Sequence, residues 1–345
     1  MEKSMANVQK QFNQYHDSIK LSDEKEILKE KRDKLKENLE SNLSKNEDAP
    51  KIDKYLLQGS YAIHTGINPP HYFENPNHDY DIDVGVVFDC TCDDYQPMEL
   101  KEMVRDALNH PSRDLVIKTP CITVQYIKNG KKDYHVDMPV YVKRTDGNGY
   151  DLASGKNSSS DDWKHSDPEG LVKKINTISD DENERAQFRR IVKYLKCWKS
   201  KKFTFFNIPS IGITLGVWKE MAFSIDYYDN KPNDLIAMRD TIQRMLNQFY
   251  SVDIDENNEL LYRYEVLLPV IPENDVFEKL TPKQMTELKT KLEVLKNDLD
   301  SAINEERVEK ACEILTKQFD GFPIPTKEET ARTSVRSINN TGSSS

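Results

Sequence analysis

The stretch Tyr80-Asp81-Ile82-Asp83-Val84-Gly85-Val86-Val87-Phe88 reads as a strand that runs into a core. Side chains alternate along extended backbone, so Asp81 and Asp83 project together while Ile82, Val84 and Val86 face the other way. Two neighbouring carboxylates repel unless something positive sits between them. A hard divalent cation with oxygen ligands, Mg²⁺ or Mn²⁺, meets that need.

Upstream, the apolar pulse Tyr55-Leu56-Leu57 ends in Gln58-Gly59-Ser60, ahead of Tyr61-Ala62-Ile63-His64, which can open a short helix. Glycine permits close backbone approach, a serine hydroxyl can bond a phosphate oxygen, and a helix N-terminus favours an anion. Taken alone, Gly59-Ser60 also fits a simple turn, and Asp-Ile-Asp an exposed edge strand. A third carboxylate shifts the balance. In Tyr134-His135-Val136-Asp137-Met138-Pro139-Val140-Tyr141-Val142, Asp137 stands in an otherwise apolar strand and shares a face with His135. An unpaired buried carboxylate costs several kcal/mol, so Asp137 needs a partner, and a cation shared with Asp81 and Asp83 supplies one. His135 is read as a hydrogen-bonded supporting residue, and Asp79 as a reserve ligand.

Around this centre the chain divides into segments. Residues 1–48 show two helices' worth of apolar spacing, the second starting at Ser22 as N-cap, with a solvated Lys/Glu face. Residues 49–166 alternate short apolar runs with turns, predicting a mixed α/β lobe with a helix over 97–109, a hairpin at Lys128-Asn129-Gly130-Lys131, and a Gly/Ser/Asn/Asp-rich rim or lid over 144–166. Ser166-Asp167-Pro168-Glu169 opens a second lobe, 167–325, that reads as helical throughout: about 168–200, 210–222, 231–250, 281–303 and 304–319. In it, Lys196 lies at the margin of the stripe Phe188, Ile191, Val192, Leu195, Trp198, where it either reaches solvent or a triphosphate. Ser210 either caps a helix or contacts phosphate. The tail 326–345 loses its hydrophobic residues and is expected to be disordered.

Charge narrows the partners. With 49 Lys+Arg against 59 Asp+Glu, the net charge of −10 disfavours a general duplex-DNA binder and leaves small anionic substrates open. No run of 18 apolar residues occurs and Met1-Glu2-Lys3-Ser4 lacks a signal-peptide core, so the expected location is the cytoplasm with no membrane role. Five scattered cysteines argue against a disulfide framework, and the Cys90-Thr91-Cys92 pair against zinc.

These residues together resemble the nucleotidyltransferase superfamily, whose signature is Gly-Ser, an Asp-x-Asp pair and a third Asp on a later strand. More closely, the chain resembles the bacterial cGAS/DncV-like nucleotidyltransferases, through Gln58-Gly59-Ser60-Tyr61, Tyr80 to Gly85, His135-Val136-Asp137, Trp163 with Ser166-Asp167-Pro168, Leu195-Lys196-Cys197-Trp198 and Pro209-Ser210-Ile211. The resemblance implies an α+β, two-lobed, polymerase-beta-like fold: a mixed-sheet catalytic lobe, a helical lobe completing the nucleotide cleft, and N-terminal helices packing across both. It implies Asp81, Asp83 and Asp137 as catalytic residues holding two Mg²⁺ ions, with Mn²⁺ an alternative, and nucleotide contacts from Gln58, Gly59, Ser60, Lys196 and Ser210. The implied activity is synthesis of a cyclic di- or trinucleotide messenger from NTPs in antiphage signalling, read by a downstream effector. In some relatives the C-terminus is conjugated by ubiquitin-like machinery, and a disordered tail is compatible with that. A linear oligonucleotide synthase, an RNA 3′-end transferase with the stripe Lys193, Lys196, Lys199, Lys201, Lys202, and a silent nucleotide-binding module are the alternatives. Twenty residues separate Ser60 from Asp81, more than in compact superfamily members, which leaves the role of Pro69-Pro70-His71-Tyr72 open.

Overall fold

The computed structural model describes residues 6–21, 24–68, 81–128, 130–226 and 228–326. Ser22, the Pro69–Tyr72 insertion, Asp79, Asn129 and the tail beyond Thr326 lie outside the described residues.

Two helices open the chain, α1 (Gln9–Ile19) and α2 (Glu24–Leu43). They serve different cores. Phe12, Tyr15 and Ile19 of α1 are buried in the cluster of the helical lobe, whereas Leu35, Leu39 and Leu43 of α2 join the cluster under the sheet.

The sheet lobe follows as β1 (Ile52–Gln58), α3 (Gly59–Ala62), β2 (Asp81–Phe88), α4 (Pro97–Ala107), β3 (Arg113–Ile117), β4 (Ile122–Lys128), β5 (Lys131–Met138), β6 (Val140–Lys143), β7 (Tyr150–Ser154) and β8 (Asp162–Ser166). The strand order is β3-β4-β5-β2-β6-β7-β8, and β1 pairs antiparallel with the other edge of β2. The final strand expected over 134–142 is cut by Pro139, which has no N–H for the ladder. Its two halves still lie end to end, both parallel to β2, and the Pro139 carbonyl accepts from Val86 N at 2.9 Å. Ile82, Val84, Val86, Val136 and Met138 are buried on one face against α2 and α4.

Residues 144–166 are not a loop throughout. The antiparallel pair β7–β8 extends the sheet there, because Tyr150, Asp151 and Ala153 are buried and Asp151 is paired with Arg144 at 2.6 Å. Polar turn residues on both sides hide the strands in the composition.

The helical lobe comprises α5 (Pro168–Asn176), α6 (Glu182–Lys202), α7 (Ser210–Glu220), α8 (Asp234–Asn247), α9 (Pro282–Ile303) and α10 (Val308–Thr316). Asp167 caps α5 by accepting from Gly170 N at 2.8 Å. The expected helix over 168–200 divides where Asp181 caps α6, accepting from Asn183 N and Glu184 N. The lobe is not wholly helical either: β9 (Tyr250–Ile254) and β10 (Leu260–Arg263) form a hairpin. The alternation of Tyr250, Val252 and Ile254 favours extended backbone, and its polar partners Ser251 and Asp253 make it resemble a helix end in sequence.

The fully buried Asp234 locks this lobe together. It accepts from Arg190 Nε at 2.7 Å and Nη2 at 2.9 Å, from Tyr194 OH at 3.1 Å and from Gln187 Nε2 at 3.1 Å. Its own N–H donates to Gln9 Oε1 at 2.7 Å, which ties α1 to α6 and α8. A buried carboxylate is tolerated when paired and hydrogen-bonded in this way. Among the described residues no helix is long and apolar enough to cross a membrane.

Candidate active site

Strand register builds the site. Gln58 of β1 pairs with Asp83 of β2, Asp83 with Asp137 of β5, and Asp137 with Thr123 of β4. Residues directly opposite one another share a face, so four strands contribute one polar row: Gln58, Asp83, Asp137, Thr123. Two residues back along both strands, the backbone of Asp81 pairs with that of His135. Sequence reasoning thus brings Asp83 and Asp137 side by side although 53 positions separate them (137 − 83 − 1). The backbone of Asp81 stands one alternation away on the same strand; its side chain lies outside what the structure describes.

Gly59 follows Gln58 directly and starts α3 with φ +61°, a left-handed conformation that favours glycine. The space matters as much. A Cβ at this position would overlap the Asp83 carboxylate, lying 2.8 Å from its Cγ. The Gly-Ser turn therefore presses its backbone against one of the predicted ligands. Ser60 is half-buried in α3, and its carbonyl accepts from Thr65 N at 2.9 Å, closing the turn into a compact loop.

Gln58 does not project from the row. Its Oε1 accepts from Tyr141 OH at 3.1 Å, and its amide lies over Gly85, where a Cβ would meet both Gln58 and Tyr141. Burial pushes the Tyr141 phenol up to about 12, so it stays a donor. Leu56, Val87, Tyr141 and Tyr150 form a small apolar cluster on this same face beyond the row.

Asp137 is mostly buried and has two partners that sequence reasoning missed. Thr123 Oγ1 donates to its Oδ1 at 2.5 Å, and Lys118 Nζ stands 3.7 Å from that oxygen. Cys121 lies behind them. Burial, then the Asp137 charge, pushes its thiol up to about 12. The turn carrying these residues is fixed from below by Lys101 of α4, a fully buried lysine. Its Nζ donates to the carbonyls of Lys118 at 2.7 Å, Thr119 at 3.1 Å and Gly155 at 2.6 Å. Burial pulls this amine down to about 8. No local pattern marks it, since Met98-Glu99-Leu100-Lys101 reads as an ordinary amphipathic helix.

The remaining expected contacts sit on the helical side. Lys196 is buried, and its Nζ donates to the carbonyl of Thr65 at 2.9 Å, so it holds the cradle loop from behind. One helical turn along α6, Lys199 Nζ donates to Ser210 Oγ at 2.8 Å and to the Ile208 carbonyl at 2.9 Å. Ser210 is thereby both the first residue of α7 and an acceptor for a half-buried lysine whose pKa burial lowers. Asn176 Nδ2 adds a bond to the Ala62 carbonyl at 3.1 Å.

The donor set fits a hard cation. Asp83 and Asp137 are carboxylates at one register position on adjacent strands, and the positive charge that lies beside Asp137 here is the Lys118 ammonium. Among the described residues no group of three His, Cys, Asp or Glu side chains forms a metal cluster; the predicted third member, Asp81, is the one whose side chain is not described.

Fold and site together define the class: a two-lobed α+β nucleotidyltransferase fold with an Asp-x-Asp strand, a Gly-Ser turn and a third Asp on the neighbouring strand. Residues 53–141 match the model of the nucleotidyltransferase domain of the family described as cyclic GMP-AMP synthase DncV-like. A cyclic GMP-AMP synthase of Escherichia albertii is 32% identical over 179 residues, which are 49% of this chain and 37% of that protein. The match thus spans little more than a third of that relative's length. Among solved structures, the Vibrio cholerae DncV cyclic AMP-GMP synthase in complex with the linear intermediate 5′ pppA(3′,5′)pG superposes with a TM-score of 0.70 at 16% identity, covering 94% of this chain and 98% of that one. The same synthase in a second structure gives 0.68 at 16% identity, covering 93% and 98%. Residues 53–141 are thus similar to the nucleotidyltransferase domain of the DncV-like family, and the chain as a whole shares the fold of the Vibrio cholerae DncV structures.

Proposed function

We propose that this chain is a two-metal nucleotidyltransferase that joins NTPs into a cyclic di- or trinucleotide and releases pyrophosphate. The observation that carries this reading is the register that sets Asp83 beside Asp137 on adjacent strands, with Gly59 pressed on the Asp83 carboxylate, inside a matched nucleotidyltransferase domain. Asp81, Asp83 and Asp137 would hold the Mg²⁺ or Mn²⁺ ions. Bound there, the ions would acidify a ribose hydroxyl and neutralise the leaving pyrophosphate.

The chain's own residues supply orientation. Thr123 fixes one oxygen of Asp137, leaving the other directed by the strand. Gly59 brings the backbone of the cradle against Asp83, so that Ser60 faces the phosphates of a nucleotide engaged by the same carboxylates. Lys196 keeps that loop in place through the Thr65 carbonyl, and the Lys199–Ser210 pair sets the α6–α7 junction that closes the nucleotide cleft. For a cyclic product the linear intermediate turns over between the lobes and reacts again. The relatives named as cyclic GMP-AMP and cyclic AMP-GMP synthases support a cyclic product over a linear one. The wider role in this reading is antiphage signalling in the cytoplasm, with a downstream effector that binds the messenger and a C-terminal tail open to conjugation.

The purified chain should release pyrophosphate from mixed NTPs with Mg²⁺, giving a phosphatase-resistant product identified by mass spectrometry. Asp81→Ala with Asp83→Ala should abolish release at an unchanged thermal midpoint. A fully active double variant removes the carboxylates from the chemistry; phosphatase-sensitive products would make the enzyme a linear synthase.

A further inference from the structure

One cation on the site's face has no part in the chemistry proposed above. Lys118 follows β3, and its ammonium lies 3.7 Å from Asp137 Oδ1 while its side chain is 46% exposed. The attachment of its backbone is unusually rigid for a surface turn. Lys118 N donates to the Cys121 carbonyl at 2.8 Å, and the Lys118 carbonyl accepts from the buried Lys101 ammonium at 2.7 Å. The adjacent Thr119 carbonyl accepts from Lys101 and from Gly155 N at 3.0 Å. A buried charge is thus committed to fixing the turn from which Lys118 projects. Among the described residues the side chain itself is held by one ion pair, half-exposed on the lysine side and long at 3.7 Å, of the kind worth about 1 kcal/mol and easily exchanged.

These two properties, a fixed base and a loosely held tip, suit a group that changes partner. We propose that Lys118 is an acceptor-side phosphate contact: it balances Asp137 while no divalent cation is bound there, and turns to the phosphate oxygens of the nucleotide whose hydroxyl attacks once Asp137 engages the ion. Lysine suits the task because its ammonium is a compact point charge on a flexible stem and binds phosphate without needing a planar, two-point geometry. Its place on the Asp137 side, across the row from Gly59, separates it from the cradle that faces the donor nucleotide. The inference rests on the nucleotidyltransferase reading, and its test is built to fail separately.

The test uses the full chain with Lys118→Met and Lys118→Arg. Without nucleotide, Mn²⁺ titrated by electron paramagnetic resonance should bind Lys118→Met about 2–5-fold more tightly than the parent, the range that loss of a long, half-exposed competing ion pair spans. Calorimetry with a non-hydrolysable NTP and Mg²⁺ should show Lys118→Met binding about 10-fold more weakly, of the order of one charge-assisted hydrogen bond, and Lys118→Arg within about threefold of the parent on the same scale. Thermal midpoints should coincide, since the side chain is exposed. Unchanged Mn²⁺ affinity, or unchanged nucleotide affinity, in Lys118→Met overturns the assignment. A parent chain that binds Mn²⁺ and nucleotide as described but releases no pyrophosphate from any NTP mixture overturns the parent function and leaves the Lys118 contact standing.

Discussion

Replacing Gly59 by alanine separates two effects that the structure lets one estimate independently. The first is backbone strain: φ +61° costs a residue with a Cβ roughly 1–2 kcal/mol. The second is displacement. The new Cβ would lie 2.8 Å from Asp83 Cγ and 3.3 Å from Asp83 Cβ, with a carboxylate oxygen in its path. Restoring ordinary carbon contact of about 3.5–4.0 Å requires the carboxylate or the cradle to retreat by ~1 Å. A misplacement of that size costs on the order of 10²-fold in rate when the displaced group positions the reacting atoms. The expectation is therefore a small loss of stability with a large loss of activity. Gly321→Ala is the matched control, because Gly321 has φ +70° and open space around its missing Cβ. Both variants should lower the unfolding free energy by about 1–2 kcal/mol in a denaturant titration; Gly59→Ala alone should reduce pyrophosphate release by ~100-fold or more. If Gly59→Ala turns over NTPs as fast as Gly321→Ala, then Asp83 does not act where the Gly-Ser turn touches it.

Two further perturbations address the scaffold. Lys101→Met keeps the volume of the side chain but strips the donor from three carbonyls, so it should destabilise the chain by about 2–4 kcal/mol in denaturant unfolding; an unchanged midpoint would mean that the clamp carries no load. His16 is held neutral, its pKa lowered from 6.5 to about 4 by burial and then by Lys193 and Arg190. A base whose folded pKa is depressed binds fewer protons than the unfolded chain between those two values, so stability is full above pH 6.5 and falls as pH drops toward 4. At about 1.4 kcal/mol for each tenfold change in proton affinity the loss is up to about 3 kcal/mol, and His16→Gln should flatten that slope in unfolding titrations across the window.

Much of this was legible because it depends on alternation. Asp81-Ile82-Asp83 and His135-Val136-Asp137 each declare a polar face and an apolar face, and a sheet that buries Ile82 and Val136 brings Asp83 and Asp137 out on the opposite side. The caps were legible for a similar reason, since Asp167 before Pro168 is a local signal for a helix start. The misses are groups whose role is set by another part of the chain. Lys101 sits on an amphipathic helix where a lysine ordinarily meets water; it is buried because carbonyls from distant loops reach its ammonium. Thr123 acts through a register partner 14 positions away. The strands over 150–154 and 162–166 were missed because their pairing depends on β6, and their turns dominate the composition.

The cradle crosses the division into lobes. In sequence Gly59-Ser60 belongs to the sheet lobe, following β1 directly, yet the loop it opens is held largely from the other side. Lys196 of α6 reaches the Thr65 carbonyl, Asn176 of α5 reaches the Ala62 carbonyl, and Asn68 N donates to the Ile19 carbonyl at the end of α1, at 2.7 Å. Gly59 itself touches Asp83 of β2. The turn therefore bridges the two bodies: its first residue is positioned by the sheet and its exit by helices. A change in the angle between lobes must pass through these few bonds, which makes the distance from Ser60 to the carboxylate row sensitive to the packing of α1, α5 and α6. That coupling explains why α1, far from the row in sequence, is wired so tightly into the helical core through Gln9, Phe12 and Asp234. A loose N-terminal helix would leave the cradle attached to the sheet alone, and the registration of the proposed phosphate cradle against the carboxylate row would be lost with it.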